Sequence, residues 1–283
     1  MLIDAGQPED GSTIVRHLRQ YAPDCRLDLL INTHAHSDHI GGMNSVLNWS
    51  KYITYAMDFG YDREDYGTTA AVRNRIKNIA DKYIAVTDAL KENDSKIYIT
   101  NDFYIDVLDT NQYINPGIDI NGGDDNAASV AFIMTYKEHS YYFSGDLENS
   151  GENYLANTKQ LKDVVLLKAN HHGGPNANYN SLLNSTKPEV VVVSTAMSNR
   201  GNASMNAKDQ VHPSSKALNR FYGVNAKVYC NMTMGTVKVT SKGSGTLSVM
   251  GFGLSSPYYL DGRPITGEEN KEFKYTAWAN KYR

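Results

Sequence analysis

Three of this sequence's eight histidines, His34, His36 and His39, fall within a stretch of six residues, with Asp38 between them. They follow an apolar run, Asp28–Asn32, that reads as a buried strand. On an extended loop alternate side chains point the same way, so His34 and His36 converge on one point. Asp38 and His39 turn toward a second. Imidazole and carboxylate together suit zinc and the neighbouring divalent metals. A His-rich surface loop with incidental metal affinity is the bland alternative. The density of the cluster, a strand before it and Gly41-Gly42 after it argue against that alternative.

Two further stretches carry chemistry. Asp146 closes a strand in Phe143-Ser144-Gly145-Asp146; taken alone, it reads equally well as a helix cap. His171-His172-Gly173-Gly174 lies just beyond the apolar run Val164–Leu167, where α/β proteins place their ligands. One of the pair can hold a metal while its neighbour faces substrate. We favour His172 as ligand and His171 as the substrate-facing group, and the reverse order stays open. His212 precedes Pro213, which suits the first turn of a helix through Phe221, so His212 can also be an ordinary helix-start residue. His17, on an amphipathic helix, and His139, in a hairpin turn, read as chemically inert.

Taken in order, Leu2–Gly6, Thr33–Gly42, Ser144–Asp146, His171–Gly174 and the segment Val211-His212-Pro213 resemble the metallo-β-lactamase superfamily. They look most like the hydrolase domain of ComEC-type DNA-internalisation competence proteins, and like the phosphorylcholine esterases that act on teichoic acids. The resemblance covers about residues 1–250. It implies a four-layer αββα sandwich with metals at one edge, its first hairpin lying upstream of Met1. It also implies that Asp4 supports the histidine loop, that His34 and His36 hold a first metal, and that Asp38 and His39 hold a second. His172 completes the ligand set by the same resemblance, and Asp146 bridges the two ions. A bridging carboxylate is sensible, because two cations about 3.5–4 Å apart repel unless an anion sits between them. True β-lactamases often carry Cys at the position of Asp146. Here Cys25 and Cys230 are both remote from it in sequence, which points away from antibiotic hydrolysis. Many members place another first-metal histidine some 20 residues before the bridging Asp. This chain has Asp124-Asp125-Asn126 there. The stretch is either a stand-in, with water, Asp125 or Asn126 on the metal, or a plain Asp/Asn turn.

The resulting expectation is a metal-dependent hydrolase with two divalent ions, zinc first and manganese or iron as alternatives. The reaction expected is phosphodiester hydrolysis, with Asp38, Asp146, His171 and His212 as catalytic groups. Alternatives are a ComEC-like DNA nuclease, a carbon-ester, thioester or lactone hydrolase, and a metal-free binding module. Segment 52–120 is rich in tyrosine. Tyr52, Tyr55, Phe59, Tyr61, Tyr66 and Tyr83 could face a quaternary ammonium, which favours a phosphorylcholine-type substrate. Lys51 just before the segment and Arg63, Arg73, Arg75 and Lys77 within it are offset by acids. The whole chain has 28 Lys+Arg against 31 Asp+Glu, so nucleic acid is possible but not favoured.

The elements that must position these groups alternate between strand and helix, an α/β pattern. The reading puts a helix from a Ser12 cap to Tyr21 and a loop over Thr33–Gly42. A longer helix follows over Thr68–Tyr83. Strands are expected over Lys96–Thr100, Phe103–Leu108, Ser129–Tyr136, Ser140–Phe143, Asp163–Lys168 and Glu189–Ser194. Residues 1–250 form the expected hydrolase domain, and 251–283 an extension or linker. No apolar run reaches the about 18 residues of a membrane span. The expectation is a soluble chain, secreted or cell-surface if a signal precedes it. The opening on Met1-Leu2-Ile3-Asp4 reads as the inside of a strand, so upstream sequence is expected.

Overall fold

The computed structural model describes residues 1–63, 68–91, 95–114, 119–120, 124–195 and 212–252. Tyr66, most of the expected 195–212 loop including Val211, and all but the first two residues of the 251–283 extension lie outside them. The chain divides into two compact units, Met1–Asn101 with Ile105–Ala131, and Asp102–Tyr104 with the chain from Phe132 onward.

The first unit is built on a parallel sheet. Its strands β1 (Leu2–Ile3), β2 (Arg26–Ile31), β3 (Tyr52–Asp58) and β5 (Ala80–Ala85) lie side by side in that order. Parallel strands need crossovers, and helices supply them. Helix α1 (Gly11–Tyr21) joins β1 to β2. Helices α2 (Ser37–Ile40) and α3 (Met43–Trp49) join β2 to β3, and α4 (Thr68–Ile79) joins β3 to β5. Leu29, Leu30, Ile31, Ile53 and Met57 are wholly buried and form the apolar body of the sheet. The two-residue strands β4 (Asp62–Arg63) and β8 (Asp119–Ile120) pair in parallel. Helix α5 (Val86–Lys91) leads to β6 (Lys96–Thr100) and β7 (Phe103–Leu108), which adjoin each other across a tight turn.

The second unit has strands β9 (Ala131–Tyr136), β10 (His139–Phe143), β11 (Leu166–Lys168), β12 (Val190–Val193) and β13 (Lys227–Cys230). They adjoin one another in that order. The β9–β10 hairpin is antiparallel and every later pair is parallel. Helices α6 (Asn149–Asn157), α7 (Asn180–Thr186) and α8 (Ser215–Gly223) make the crossovers. Helix α9 (Asn231–Met234) leads to a two-stranded ribbon, β14 (Thr236–Thr240) with β15 (Ser248–Phe252). Among the described residues no helix is long and apolar enough to cross a membrane.

The mixed α/β expectation holds, and four local expectations are corrected. Ser12 lies inside α1, whose entry is a 3-10 turn over Pro8–Asp10 with the Asp10 carboxylate accepting from Gln7 N at 3.0 Å. The loop over Thr33–Gly42 contains the one-turn helix α2, with His36 extended at its N-cap. Helix α4 ends at Ile79, because Ala80–Ala85 pair with β3 and that pairing outweighs the helical reading of Tyr83. Pro213 stands before α8, where Ser214 is the cap and accepts from Ala217 N at 3.1 Å.

Buried charges fix the end of β3. Arg73 of α4 donates to Asp58 Oδ2 at 2.8 Å and to Tyr61 O at 2.7 Å, while Tyr83 Oη donates to Asp58 Oδ1 at 2.6 Å. One guanidinium therefore holds β3, β5 and the segment Phe59–Arg63 in register.

Candidate metal centre

In both units the chemistry lies at the carboxyl ends of parallel strands, the expected place for ligands in an open α/β sheet. In the first unit Asp4 follows β1, Thr33-His34 follow β2, and Tyr61 and Arg63 follow β3. In the second unit Asp146 follows β10, His171 and His172 follow β11, and Ser194 follows β12.

Asp4 organises the histidine loop. Its carboxylate accepts from Thr33 N and Thr33 Oγ1, both at 2.8 Å, and lies 2.7 Å from His39 Nδ1. With a proton on Nδ1, His39 donates to Asp4 and turns the lone pair of Nε2 outward. Gly42 lets the loop close against β1, for a Cβ there would fall 2.1 Å from Ala5 O. The hydroxyl of Thr33 donates its one hydrogen bond to Asp4, so at 3.1 Å it accepts from His34 Nδ1. The proton-free Nε2 of His34 then faces His36 Nδ1 at 3.1 Å. On its other side His36 Nε2 lies 3.4 Å from Asp125 Oδ2. With the His36 proton on Nε2, toward Asp125, two imidazole lone pairs face each other at that distance and repel unless a cation lies between them. A zinc ion with bonds of about 2.1 Å sets neighbouring donors about 3.4 Å apart, so the donors fit a divalent ion. Asp38 sits half-buried in the first turn of α2, beside His39 in sequence.

Asp125 is itself held. Tyr61 Oη donates to its Oδ1 at 2.7 Å and Arg63 Nη1 to its Oδ2 at 2.5 Å, all in the buried interior. Burial and the adjacent Asp125 carboxylate drive the Tyr61 phenol far above its ordinary range, so it stays a donor. The preceding Asp124 makes an ordinary turn, accepting from Ala127 N at 3.2 Å, so the Asp/Asn stretch combines a turn with a buried anchor.

The second unit shows the same signature through different means. His172 Nδ1 donates to Ser194 O at 2.6 Å, which leaves the lone pair of Nε2 aimed at Asp146 Oδ2, 3.2 Å away. His171 Nε2 is farther from that oxygen, at 4.0 Å, and its Nδ1 lies 3.1 Å from Asn176 Oδ1 and 3.4 Å from Glu148 Oε1. The His212 ring centroid is 4.9 Å from that of His171 and 6.3 Å from that of His172. Lys168 Nζ lies 3.9 Å from Asp146 Oδ1. The backbone is left-handed at three consecutive residues, His171 (φ 46), His172 (φ 52) and Gly173 (φ 79). At Gly173 a Cβ would meet Pro213 Cβ at 2.7 Å.

Each unit thus gathers its own share of the expected groups. The first holds His34, His36, Asp38 and His39, and the second holds Asp146, His171, His172 and His212. His139 is not in an exposed turn. It begins β10, is buried, and lies 2.7 Å from Ser241 Oγ, a structural contact. Lys168 and Glu152 are not singled out by the sequence, and Tyr61 and Arg63 are named there only as an aromatic and a basic residue of segment 52–120, not as supports of the histidine loop. Only Lys168 stood near a motif, three residues before His171.

Comparison with known proteins agrees with the motifs. Residues 1–196 match the family model described as the metallo-beta-lactamase superfamily. Over 225 residues the chain is 24% identical to ComE operon protein 3 of Bacillus subtilis, covering 79% of this chain. It spans about a quarter of that relative's length, 26%. Among solved structures, the metallo-beta-lactamase fold protein YhfI from Bacillus subtilis aligns over 80% of this chain and 82% of its own, at 12% identity and a TM-score of 0.45. The short form of human tRNase Z aligns over 80% and 78%, at 12% identity and a TM-score of 0.38.

Proposed function

This chain is a metal-dependent hydrolase of the metallo-beta-lactamase superfamily, and we propose that it cleaves a phosphodiester with two divalent ions, zinc in the first instance. The observation that carries the reading is the repeated donor signature. His34 Nε2 faces His36 Nδ1 at 3.1 Å, and His172 Nε2 faces Asp146 Oδ2 at 3.2 Å. In each case the opposite ring nitrogen has an acceptor within reach. In this proposal His34 and His36 hold the first ion, Asp38, His39 and His172 hold the second, and Asp146 serves both. When bound, the ions supply Lewis acidity and a water whose pKa falls toward about 7.

The chain's own groups do the rest. Asp4 and Asp125 hold His39 and His36 in the ligating tautomer, as acceptors on metal-binding histidines do. Lys168, His171 and His212 make the neighbourhood of Asp146 rich in positive and proton-bearing groups, which suits an anionic phosphoryl group better than a neutral ester. His171 or His212 donates a hydrogen bond to a phosphoryl oxygen or a proton to the leaving oxygen. The aromatic residues expected to face a choline group differ in exposure. Phe59 and Tyr61 are both fully buried, and the Tyr83 hydroxyl is engaged by Asp58. Tyr52 is exposed and Tyr55 and Tyr83 are half-buried, so the set is not uniformly closed, and the reading rests on the phosphodiester.

The test is hydrolysis of bis-p-nitrophenyl phosphate with added Zn²⁺ or Mn²⁺, alongside metal analysis of the purified protein. Asp146→Ala is expected to abolish turnover while the protein stays folded; a fully active variant overturns the proposal. Comparing p-nitrophenyl phosphorylcholine with single-stranded DNA then sorts the esterase from the competence-type nuclease. Turnover of lactones or thioesters alone would move the reaction to carbon.

A further inference from the structure

Helix α6 buries a carboxylate that the proposed chemistry does not use. Glu152, in the first turn of the helix, is wholly inaccessible, at a position where an apolar residue would pack as well. A buried carboxylate is costly unless its surroundings need it. Here three N–H donors converge on it. Oε1 accepts from Asn170 Nδ2 at 2.7 Å and from Asn178 N at 2.6 Å, and Oε2 accepts from Tyr179 N at 2.7 Å. A carboxyl group, charged or neutral, offers acceptor lone pairs on both oxygens. A glutamine would turn its NH₂ group toward an N–H.

Asn170 carries the contact on to both halves of the donor group. Its Oδ1 accepts from Ser144 Oγ at 2.6 Å, two residues before Asp146. Its backbone is gripped by Asn178, whose Oδ1 accepts from Asn170 N at 2.9 Å and whose Nδ2 donates to Asn170 O at 2.8 Å. His171 follows directly. From α8, Arg220 donates to Ala177 O at 2.7 Å and stacks 3.9 Å over the Tyr179 ring, closing the outer side of the same loop. Left-handed φ at His171 and His172 is disfavoured for residues with a Cβ and persists only when the surroundings over-determine it.

Resting on the metal reading above, we propose that Glu152 is a positioning residue: through Asn170, Asn178 and Tyr179 it locks the left-handed double-histidine turn against the Ser144–Asp146 turn, and so sets the distance between His172 Nε2 and Asp146. Glu152 touches neither metal nor substrate. Without its three acceptor contacts the turn relaxes toward ordinary φ, and His172 moves off the carboxylate.

The experiment measures Zn²⁺ affinity by chelator competition on the full chain, for wild type, Glu152→Gln and Ser144→Ala, with circular dichroism to check folding. Glu152→Gln is expected to bind Zn²⁺ about 10–100-fold more weakly, the range seen when an outer contact of a metal ligand is lost. Ser144→Ala removes only the link between the two turns and gives a smaller shift in the same direction. If Glu152→Gln does not fold, Ser144→Ala decides the matter. Wild-type affinity in every folded variant overturns the proposal while leaving the metal reading intact. A wild-type protein that takes up no Zn²⁺, Mn²⁺ or Fe²⁺ overturns both.

Discussion

The two donor groups reach one end by opposite routes. In the first unit the imidazoles are oriented by side-chain carboxylates: Asp4 on His39, and Asp125 on His36, with Asp125 in turn held by Tyr61 and Arg63. In the second unit His172 is oriented by a backbone carbonyl, Ser194 O, and by a left-handed turn that a buried glutamate clamps. Charge positions the first set and backbone geometry positions the second. Single side chains are therefore the weak points of the first group, and conformational freedom is the weak point of the second.

The hardest blow to the carboxylate-held group is Asp125→Ala. It removes the buried carboxylate that accepts from both Arg63 and Tyr61, and breaking a buried ion pair costs about 3–5 kcal/mol. Urea unfolding of the metal-free protein should show that loss, and a variant as stable as wild type would mean that Asp125 is not the anchor of this region. The matching blow to the backbone-held group is Gly173→Ala. A residue with a Cβ pays for left-handed φ and also overlaps Pro213, together about 2–4 kcal/mol. Hydrolysis should fall with it, and unchanged stability would show that the turn is softer than its contacts suggest.

The sequence shows these two groups unevenly, for a physical reason. His34, His36, Asp38 and His39 sit on one short loop, so spacing alone exposes them. β6 and β7 match their expected bounds because strict alternation in Lys96–Thr100 leaves little choice. The supports are invisible at that level. Tyr61 and Arg63 reach Asp125 from 64 and 62 residues away, with no local pattern to announce the contact. Glu152 looks like any acid in the first turn of a helix. β3 and β5 went unread because their polar-looking text becomes strand only when parallel neighbours pair with it. The left-handed φ at His171 and His172 has no sequence mark beyond the glycines that follow.

A sharper cut between charge and geometry is Asp4→Asn. The amide oxygen can still accept from Thr33 N, so stability should change by no more than about 1 kcal/mol. Its NH₂ group, however, would donate to His39 Nδ1 and drive the imidazole proton to Nε2, the nitrogen assigned to metal. Zn²⁺ affinity should fall about 10–100-fold with folding intact. No equivalent substitution exists for His172, whose acceptor is a main-chain carbonyl. If Asp4→Asn kept full metal affinity, the tautomer of His39 would not depend on that carboxylate, and the contrast between the two groups would weaken.

The gentlest test is pH. Burial pushes the Glu152 carboxyl up to about 7, even though Tyr179 N, Asn178 N and Asn170 Nδ2 favour its charged form, and the unfolded chain ionises near 4.5. A carboxyl with a raised folded pKa keeps its proton longer in the folded state than in the unfolded one. Its contribution to stability is therefore complete below about 4.5 and is lost as pH rises toward about 7. Within that window the loss is roughly 1 kcal/mol per pH unit. Glu152→Gln cannot ionise, so it should lack this slope even though it is less stable at every pH. Urea stabilities of wild type and variant at pH 5 and 6.5 isolate the effect, with the gap between them narrowing as pH rises. A constant gap would mean that Glu152 ionises as freely when folded as when unfolded. The three N–H donors would then offset the whole cost of burial, and Glu152 would hold the double-histidine turn as a charged carboxylate at pH 6.5.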